Sequence, residues 1–479
     1  MNHEDGCPPT RVKLVASTGD ITAATTAQNG TSGAAASALE DGGGGGGDIR
    51  GYFETAQWTA DGTTLLTSSS SNLISGYVVP SDLLSPRAAP HALGPTACIP
   101  LPEPSSVLAG APYFSLAEPW TNQLLVSSRD HPIQLFYLAP PASSSSLAPA
   151  AAASSYPLTK SRSETFLTAT SLAWPAPGTH FVAGARSLLT KYDVSRTGDE
   201  PLARIKTIPS ERHLAKGGGV GMRGTVSALG AQPLSSSASG GGGSLLAAGT
   251  WTRWVGLYDF NAPAGGECVA TWSIASAAAG VGQGEWGAGK GNGIGGDGVT
   301  QTVWSPCGRY LLIGERKSRG VLVYDVRVTG QLLGWLAGRE ALGNQRIGFD
   351  VFPGQEGESS GFEVWSGTSG GAVKVWEGVG GREGPHEPSW AWEAHRQSTV
   401  ESTCVHPSGT VIATCSGSWE FPDEDEDGDD KEQVGSGDSG GLSWMRRRNK
   451  ESSLKIWSIS GDQDDEDTGL QEGKTDELE

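Results

Sequence analysis

Short glycine-rich stretches are the first places in this 479-residue chain where residue types and spacing could do chemistry. Residues 282–287 read GQGEWG, a G-x-G-x-x-G pattern, and residues 284–291 read GEWGAGKG, which matches a phosphate-binding loop up to its last position. Gly291 stands there, where a Ser or Thr hydroxyl must hold magnesium. Neither stretch lies between a strand pattern and a helix pattern, so the sequence predicts no nucleotide site.

The other candidates for chemistry are a nucleophile elbow, the cysteines and two histidines, and none is complete. Residues 357–361 read GESSG, but a strand pattern follows where a hydrolase has a helix. The six cysteines form no C-x-x-C pair and have no zinc-like spacing to a His, so we expect reduced thiols. We expect His395 and His406 to hydrogen-bond within the fold. The sequence therefore predicts no catalytic residues, no enzyme activity, no metal, no cofactor and no small-molecule substrate.

Cations recur in short turns that follow strands of small residues. The turns SSRDHP, GARSLL, GTWTRW and GERKSRG supply Arg129, Arg186, Arg253, Arg316, Lys317 and Arg319. If these are equivalent turns between the third and fourth strands of successive repeats, they all emerge on one face. Arg and Lys there could contact phosphates, and Arg can stack on unpaired bases. The alternative is an ordinary role, with Arg129 paired to Asp130 and Arg316 paired to Glu315.

A second basic cluster lies next to a strongly acidic run. The cluster MRRRNK contains Arg446, Arg447, Arg448 and Lys450. It could be a nuclear localisation signal or an RNA contact, and the alternative is a solvated loop of balanced charge. The acidic run, at residues 423–430, carries seven acids in eight positions, and residues 461–479 carry nine acids. These two tracts account for most of the net charge of −19, so the rest of the chain is close to neutral.

The elements that would position these turns are short strands in a repeating order. Residues 372–377, AVKVWE, alternate as a strand does, and the same unit recurs seven times: a strand, a turn, a strand of small residues, a turn, and a strand ending in an aromatic. The strand-end aromatics are Tyr77, Tyr137, Tyr192, Tyr258, Tyr324, Trp376 and Trp457. A single thin sheet of this kind cannot fold alone, and stacking the sheets in a ring buries their faces.

The sequence therefore predicts an all-β fold, a seven-bladed WD-repeat β-propeller interrupted by disordered Gly/Ser-rich and acidic inserts. We expect residues 1–47 to be a disordered N-terminal segment and 460–479 a disordered acidic tail. The propeller would span 48–459, with an insert at 419–452 in its last blade. An N-terminal strand, from 11–17 or 48–55, would complete that blade. No run of about 18 apolar residues occurs, so no membrane span is expected.

Several motifs resemble the telomerase Cajal body protein family. The stretch NQRIGFD, with Asn344, Gln345, Arg346, Phe349 and Asp350, resembles the family's NQRI-x-FD motif, and SGTSGGAVKVWEG resembles the strand pair that follows it. SSRDHPIQLF resembles the family's SSRENPI turn, and TRWVGLYDF resembles a strand in which the family also places Arg. The resemblance covers roughly residues 48–459, without the family's long N-terminal extension. The Gly/Ser inserts indicate a fungal or algal member.

The resemblance implies a non-enzymatic RNA-binding scaffold for small nuclear or Cajal body ribonucleoproteins. The expected partners are small Cajal body RNA, bound through its CAB box, or telomerase RNA, together with the proteins of these particles. Support of splicing ribonucleoproteins is the conservative version of this role. The expected location is nuclear, in the Cajal body or nucleoplasm, with a cytoplasmic pool left open. The alternative function is a general WD-repeat adaptor that binds proteins without binding RNA directly.

Overall fold

Seven small antiparallel sheets, arranged as a ring of blades, make up the computed structural model. It describes residues 12–21, 51–138, 151–160, 163–208, 221–233, 245–260, 266–282, 293–354, 361–418 and 451–459. The first strands of neighbouring blades contact one another around the centre. The predicted all-β, seven-bladed propeller is confirmed.

The strands of the first four blades follow chain order from the centre outward, apart from one short strand, β5, that lies between two strands of blade one. Blade one contains β2 (Phe53–Trp58), β3 (Thr64–Ser69), β4 (Leu73–Val78) and β6 (Ala97–Pro100). Blade two contains β7 (Ser105–Gly110), β8 (Gln123–Ser128), β9 (Ile133–Tyr137) and β10 (Ser154–Tyr156). Blade three contains β11 (Ser171–Ala173), β12 (His180–Ala185), β13 (Leu188–Asp193) and β14 (Ala203–Lys206). Blade four contains β15 (Val226–Ala231), β16 (Leu245–Thr250), β17 (Trp254–Asp259) and β18 (Glu267–Ser273).

The last three blades follow the same order, and blades five and seven each gain a short parallel edge strand. Blade five contains β19 (Val299–Trp304), β20 (Tyr310–Glu315), β21 (Ser318–Asp325), β22 (Leu332–Ala341) and the edge strand β26 (Gly384–His386). Blade six contains β23 (Phe349–Pro353), β24 (Phe362–Gly367), β25 (Ala372–Val379) and β27 (Trp390–Glu393). Blade seven contains β28 (Val400–Val405), β29 (Val411–Ser416), β30 (Leu454–Ile459), β1 (Val12–Ser17) and the edge strand β5 (His91–Ala92).

Helical structure in the described residues is limited to two short elements. A 3-10 helix spans Pro119–Thr121, and α1 spans Ala275–Gly280. No helix among the described ranges has the length and apolar character needed to cross a membrane. The second strands carry the core, since every residue of β3 and of β29 is buried. The seven predicted strand-end aromatics all lie in the third strand of a blade, as the repeat pattern predicts.

The ring is closed by β1, the N-terminal strand. It pairs with β30, where Val12 lies opposite Ile459 and Ser17 opposite Lys455. Val12 and Ala16 are buried. Of the two segments predicted to complete the last blade, 11–17 does so, while 48–55 leads into β2 of blade one. The strand falls inside the segment 1–47 that was expected to be disordered, so the start of the propeller moves from residue 48 to Val12. The residues of VKLVAS alternate as a strand does. This segment therefore pairs with the outer edge of blade seven and buries one of its faces there.

The two histidines occupy structural positions, as the sequence analysis expects. His395 Nε2 lies 2.8 Å from Thr414 Oγ1, and His395 Nδ1 lies 3.0 Å from Glu451 Oε1. Trp457 Nε1 donates to the same Thr414 hydroxyl at 3.0 Å. Glu451 is buried in this network, so the blade resumes at residue 451, and the predicted insert 419–452 is two residues too long. His406 Nε2 lies 3.1 Å from the Gly62 carbonyl oxygen and links blade seven to blade one.

Three predicted segments fall wholly or largely outside the described residues. These are the remainder of 1–47, the insert from 419 to 450 with its cluster Arg446, Arg447, Arg448 and Lys450, and the tail 460–479.

Candidate nucleic-acid interface

The basic turns join the second and third strands of their blades, not the third and fourth as predicted. Arg129 lies between β8 and β9, Arg186 between β12 and β13, and Arg253 between β16 and β17. This position agrees with the repeat unit itself, in which the turn after the strand of small residues precedes the third strand, so the numbering of these turns was wrong by one strand while the repeat was right. In an antiparallel blade, this turn emerges on the same side as the loop that enters the next blade. We call this side of the ring the upper face.

Two of the predicted cations, Arg129 and Arg186, have exposed side chains on adjacent blades of the upper face. The backbone fixes both turns: the Arg129 amide donates to the Pro104 carbonyl at 3.2 Å, and Arg186 forms an isolated bridge with Thr225. Within the described part of the chain, neither guanidinium belongs to an ion pair. Both remain candidates for phosphate contact.

Arg253 has a structural role. Its Nε donates to Glu315 Oε1 at 2.6 Å and its Nη2 donates to Oε2 at 2.9 Å, and Nη2 also reaches the Gly295 carbonyl at 3.2 Å. Glu315 is buried, and burial raises its pKa while the Arg253 guanidinium opposes that rise. The pair joins blade four to blade five. The expected arc of free cations is therefore interrupted at Arg253.

The cations of blade five are only partly available. Arg316 pairs with Asp297, not with Glu315, at 3.6 Å between Nη2 and Oδ2, and its guanidinium lies 6.0 Å from the centre of the Trp251 ring. Lys317 Nζ lies 3.7 Å from Asp297 Oδ2, in a side chain that is half exposed. Arg319 lies in strand β21 and not in the turn. Weak, exposed pairs of this kind exchange easily for phosphate.

The predicted NQRI-x-FD motif holds the centre of the ring. Arg346 reaches across the central channel, and its Nη1 and Nη2 donate to the carbonyls of Ser106 (3.4 Å) and Thr170 (3.2 Å), in blade two and beside blade three. Gln345 Nε2 donates to the Gly417 carbonyl at 3.3 Å, while Asn344 is exposed. The motif therefore ties blade six to three other blades.

Phe349 and Asp350, the end of this motif, are structural. Phe349 is buried 5.4 Å from the guanidinium of Arg339, which is itself fully buried. Asp350 accepts hydrogen bonds from the backbone amides of Val351 (2.8 Å, to Oδ1) and Val405 (2.9 Å, to Oδ2). Burial raises the pKa of Asp350 to about 6, and these two amides oppose the rise.

Two acidic residues that the sequence analysis did not single out face Arg346 at the upper mouth of the channel. Glu54 lies in β2 and Glu401 in β28, the first strands of blades one and seven, which neighbour each other. Both carboxyls line a cavity of about 320 Å³ together with Arg346. The sequence signal that could have identified Glu401 is an acidic residue inside a predicted strand, as in TVESTCV. Among the described residues, no cluster of three or more metal-ligand side chains is found.

Comparison with known proteins gives two groups of relatives. Telomerase Cajal body protein 1 of Bos taurus is 27% identical over 416 residues, covering 86% of this chain and 66% of the relative. The Homo sapiens protein of the same name is 26% identical over 413 residues, covering 86% and 64%. The resemblance predicted from the motifs is confirmed. The chain is a homologue of telomerase Cajal body protein 1.

The chain spans slightly less than two thirds of the length of both telomerase Cajal body proteins. Guanine nucleotide-binding protein negative regulator 1 of Schizosaccharomyces pombe is also similar, at 24% identity over 328 residues, covering 68% of this chain and 70% of that protein. No protein-family model matches the chain.

Proposed function

We propose that this protein is a non-enzymatic scaffold that binds the RNA of small nuclear or Cajal body ribonucleoproteins on its upper face. The supporting observation is that Arg129 and Arg186, on adjacent blades of a homologue of telomerase Cajal body protein 1, are exposed and form no ion pair with any residue that the structure describes. Small Cajal body RNA or telomerase RNA is the proposed cargo, and the other proteins of these particles are the proposed partners. The proposed location is the nucleus.

The upper face suits RNA through charge and not through a closed pocket. Arg129 and Arg186 project from fixed turns, and Lys317 adds a half-exposed cation in blade five, beyond the paired Arg253 of blade four. Flexible cationic tips above a rigid ring can follow a phosphate backbone, and the planar Arg side chains can stack on unpaired bases. We assign Arg253 and Phe349 no direct contact, because the first is paired with Glu315 and the second is buried.

A charge reversal on the upper face tests this proposal. The variant Arg129→Glu/Arg186→Glu should bind a small RNA carrying a CAB box at least about ten-fold more weakly than wild type, since each change replaces attraction of phosphate by repulsion. The matched control is Arg309→Glu/Arg382→Glu, which changes charge equally at two exposed positions on the opposite face. Equal RNA affinity of wild type and the upper-face variant, with both folded, would refute the proposed surface.

A protein adaptor without RNA is the second candidate. It is favoured by the similarity to a relative whose name describes a regulator of a guanine nucleotide-binding protein. Crosslinking of RNA to the protein in cells, followed by sequencing, separates the two candidates. Enrichment of small nuclear RNAs supports the scaffold. Recovery of proteins alone after nuclease treatment, with no crosslinked RNA, supports the adaptor.

A further inference from the structure

The upper mouth of the central channel contains a buried carboxyl group, one oxygen of which has no hydrogen-bond partner among the described residues. The Glu401 side chain lines the cavity of about 320 Å³, the residue is 3% exposed, and its Oε1 atom has no partner among the described residues. Buried polar atoms in folded proteins are nearly always paired, because an unmade hydrogen bond costs the full desolvation of the group. This oxygen, at the wall of a cavity, is placed to accept a hydrogen bond from a ligand that enters the cavity.

The charges around Glu401 favour a cationic ligand. Glu54 lines the same cavity, and its negative charge adds to burial in raising the pKa of Glu401. Arg346 is the single cation among the described lining residues, and two of its nitrogens donate to the backbone carbonyls of Ser106 and Thr170. Burial and Glu54 favour the protonated form of Glu401 in the free site. A cation that enters favours the ionised form instead, and it supplies the positive charge that Arg346 alone does not provide for two carboxylates.

The shape of the site selects among cations. Tyr52 and Trp251 line the same cavity, and Trp251 is 41% exposed. Aromatic rings attract planar, weakly hydrated guanidinium groups, and Trp251 already has that of Arg316 at 6.0 Å from its ring centre. Two carboxyls on neighbouring strands also match the several donors of one guanidinium better than the point charge of an ammonium group.

We propose that the upper mouth of the channel binds the guanidinium group of an arginine from an arginine-rich segment of a partner protein. The arginine enters between Glu54 and Glu401, and the exposed Trp251 packs beside the partner's backbone. The cavity volume is within the range of pockets that hold a small ligand or one large side chain. This site shares no residue with the proposed RNA-binding surface: its acidic residues lie in the first strands of blades one and seven, while Arg129 and Arg186 lie in the turns between the second and third strands of blades two and three.

Binding of a labelled peptide tests the proposal on the full chain. The probe is a fluorescent peptide of alternating Gly and Arg, and its control carries citrulline at every Arg position, which keeps the shape and removes the charge. Fluorescence anisotropy should show at least ten-fold tighter binding of the Arg peptide. A peptide with Lys in place of Arg should bind more weakly than the Arg peptide. Equal affinity for the Arg and citrulline peptides would overturn the proposal.

Amide substitutions locate the site. Glu401→Gln should weaken binding of the Arg peptide about ten-fold, and the exposed control Glu383→Gln on the opposite face should leave it unchanged. The acidic tracts at 423–430 and 461–479 are the same in all variants, so their background attraction cancels in the comparison. Wild-type affinity in Glu401→Gln would overturn the proposal. If that variant does not fold, Glu54→Gln, at a half-buried position, should show the same loss.

Two further readouts separate this site from a structural role and from RNA binding. The Tm of Glu401→Gln should equal or exceed that of wild type, because the change removes a buried carboxyl with an unpartnered oxygen. Residues of binding sites are commonly less than optimal for stability. Glu401→Gln should retain RNA affinity, and Arg129→Glu/Arg186→Glu should retain peptide affinity. Peptide binding can thus fail while RNA binding holds, and the reverse. Loss of peptide affinity only in variants with a lowered Tm would contradict the proposal.

Discussion

Arg253 of blade four and Glu315 of blade five form a two-pronged ion pair, with Nε 2.6 Å from Oε1 and Nη2 2.9 Å from Oε2. The Glu315 side chain is 2% exposed and that of Arg253 is 21% exposed, so the pair is largely removed from water. The Gly298 amide also approaches Glu315 Oε1, at 3.4 Å. This pair is one of the polar links between neighbouring blades, which otherwise meet through apolar strand faces.

Replacing Arg253 should destabilise the ring. The variant Arg253→Met leaves the Glu315 carboxylate buried without its main partner, and breaking a buried pair costs about 3 kcal/mol or more. Chemical denaturation should show a lower midpoint than wild type. The control Arg186→Met removes an exposed cation from the equivalent turn of the previous blade. Its free energy of unfolding should stay within about 0.5 kcal/mol of wild type.

The double variant Arg253→Met/Glu315→Gln sharpens this prediction. Removing both charges takes away the unpaired carboxylate, so the double variant should be more stable than Arg253→Met alone. RNA affinity should be near wild type in both variants, measured where they are folded. A stable Arg253→Met protein with weakened RNA binding would instead place Arg253 in the RNA interface.

The outline of the fold could be predicted from the sequence, because the strand signals are local. Tyr77, Tyr192 and Trp376 each end an alternating strand that follows a turn, and each lies in the third strand of its blade. The first strands were harder to place. β11, for example, has three residues and gives little alternation to recognise.

The contacts at the centre could not be predicted, because they join residues that are far apart in the chain. Arg346 meets Ser106 and Thr170, which lie 240 and 176 residues earlier. The NQRI motif indicated that Arg346 matters, but not that it spans a channel. Glu401 was missed because its neighbour in the cavity, Glu54, is brought there only by closure of the ring.

Substitution of Asp350 should change the pH dependence of stability. Its pKa is about 6 in the folded protein and 3.8 as a free side chain, so the folded state holds the proton more tightly. Stability contributed by this group is therefore present at low pH and falls as the pH rises through that interval, by at most about 3 kcal/mol. Asp350→Asn should lack this decline and keep one acceptor for the Val351 or Val405 amide.

Thermal melts between pH 4 and 7 measure this effect. Glu54 and Glu401 also have raised pKa values through burial, and they titrate in both proteins, so the difference between wild type and variant isolates Asp350. The stability of Asp350→Asn relative to wild type should rise as the pH increases from 4 to 6.5. A difference that stays constant with pH would show that folding does not raise the pKa of Asp350.

Salt dependence distinguishes phosphate contact from other effects of the upper-face cations. Arg129→Gln/Arg186→Gln removes two positive charges without adding repulsion. If each guanidinium neutralises one phosphate of single-stranded RNA, the slope of log affinity against log salt should become shallower by about 1.4. The control Arg309→Gln/Arg382→Gln should keep the wild-type slope. Weaker binding with an unchanged slope would mean that the two arginines act by stacking and not through phosphates.

Closure of the ring by β1 gives the last prediction. In this strand Ala16 is fully buried against blade seven, while Lys13 is exposed. Ala16→Glu forces a carboxylate into the apolar interior, so it should lower Tm by 10 °C or more, of the order expected for several kcal/mol. Lys13→Glu alters the charge of the same strand without burying it, and should melt close to wild type. If Ala16→Glu also melts like wild type, β1 does not hold blade seven in solution, and the ring is closed by the described strands β28, β29 and β30 alone.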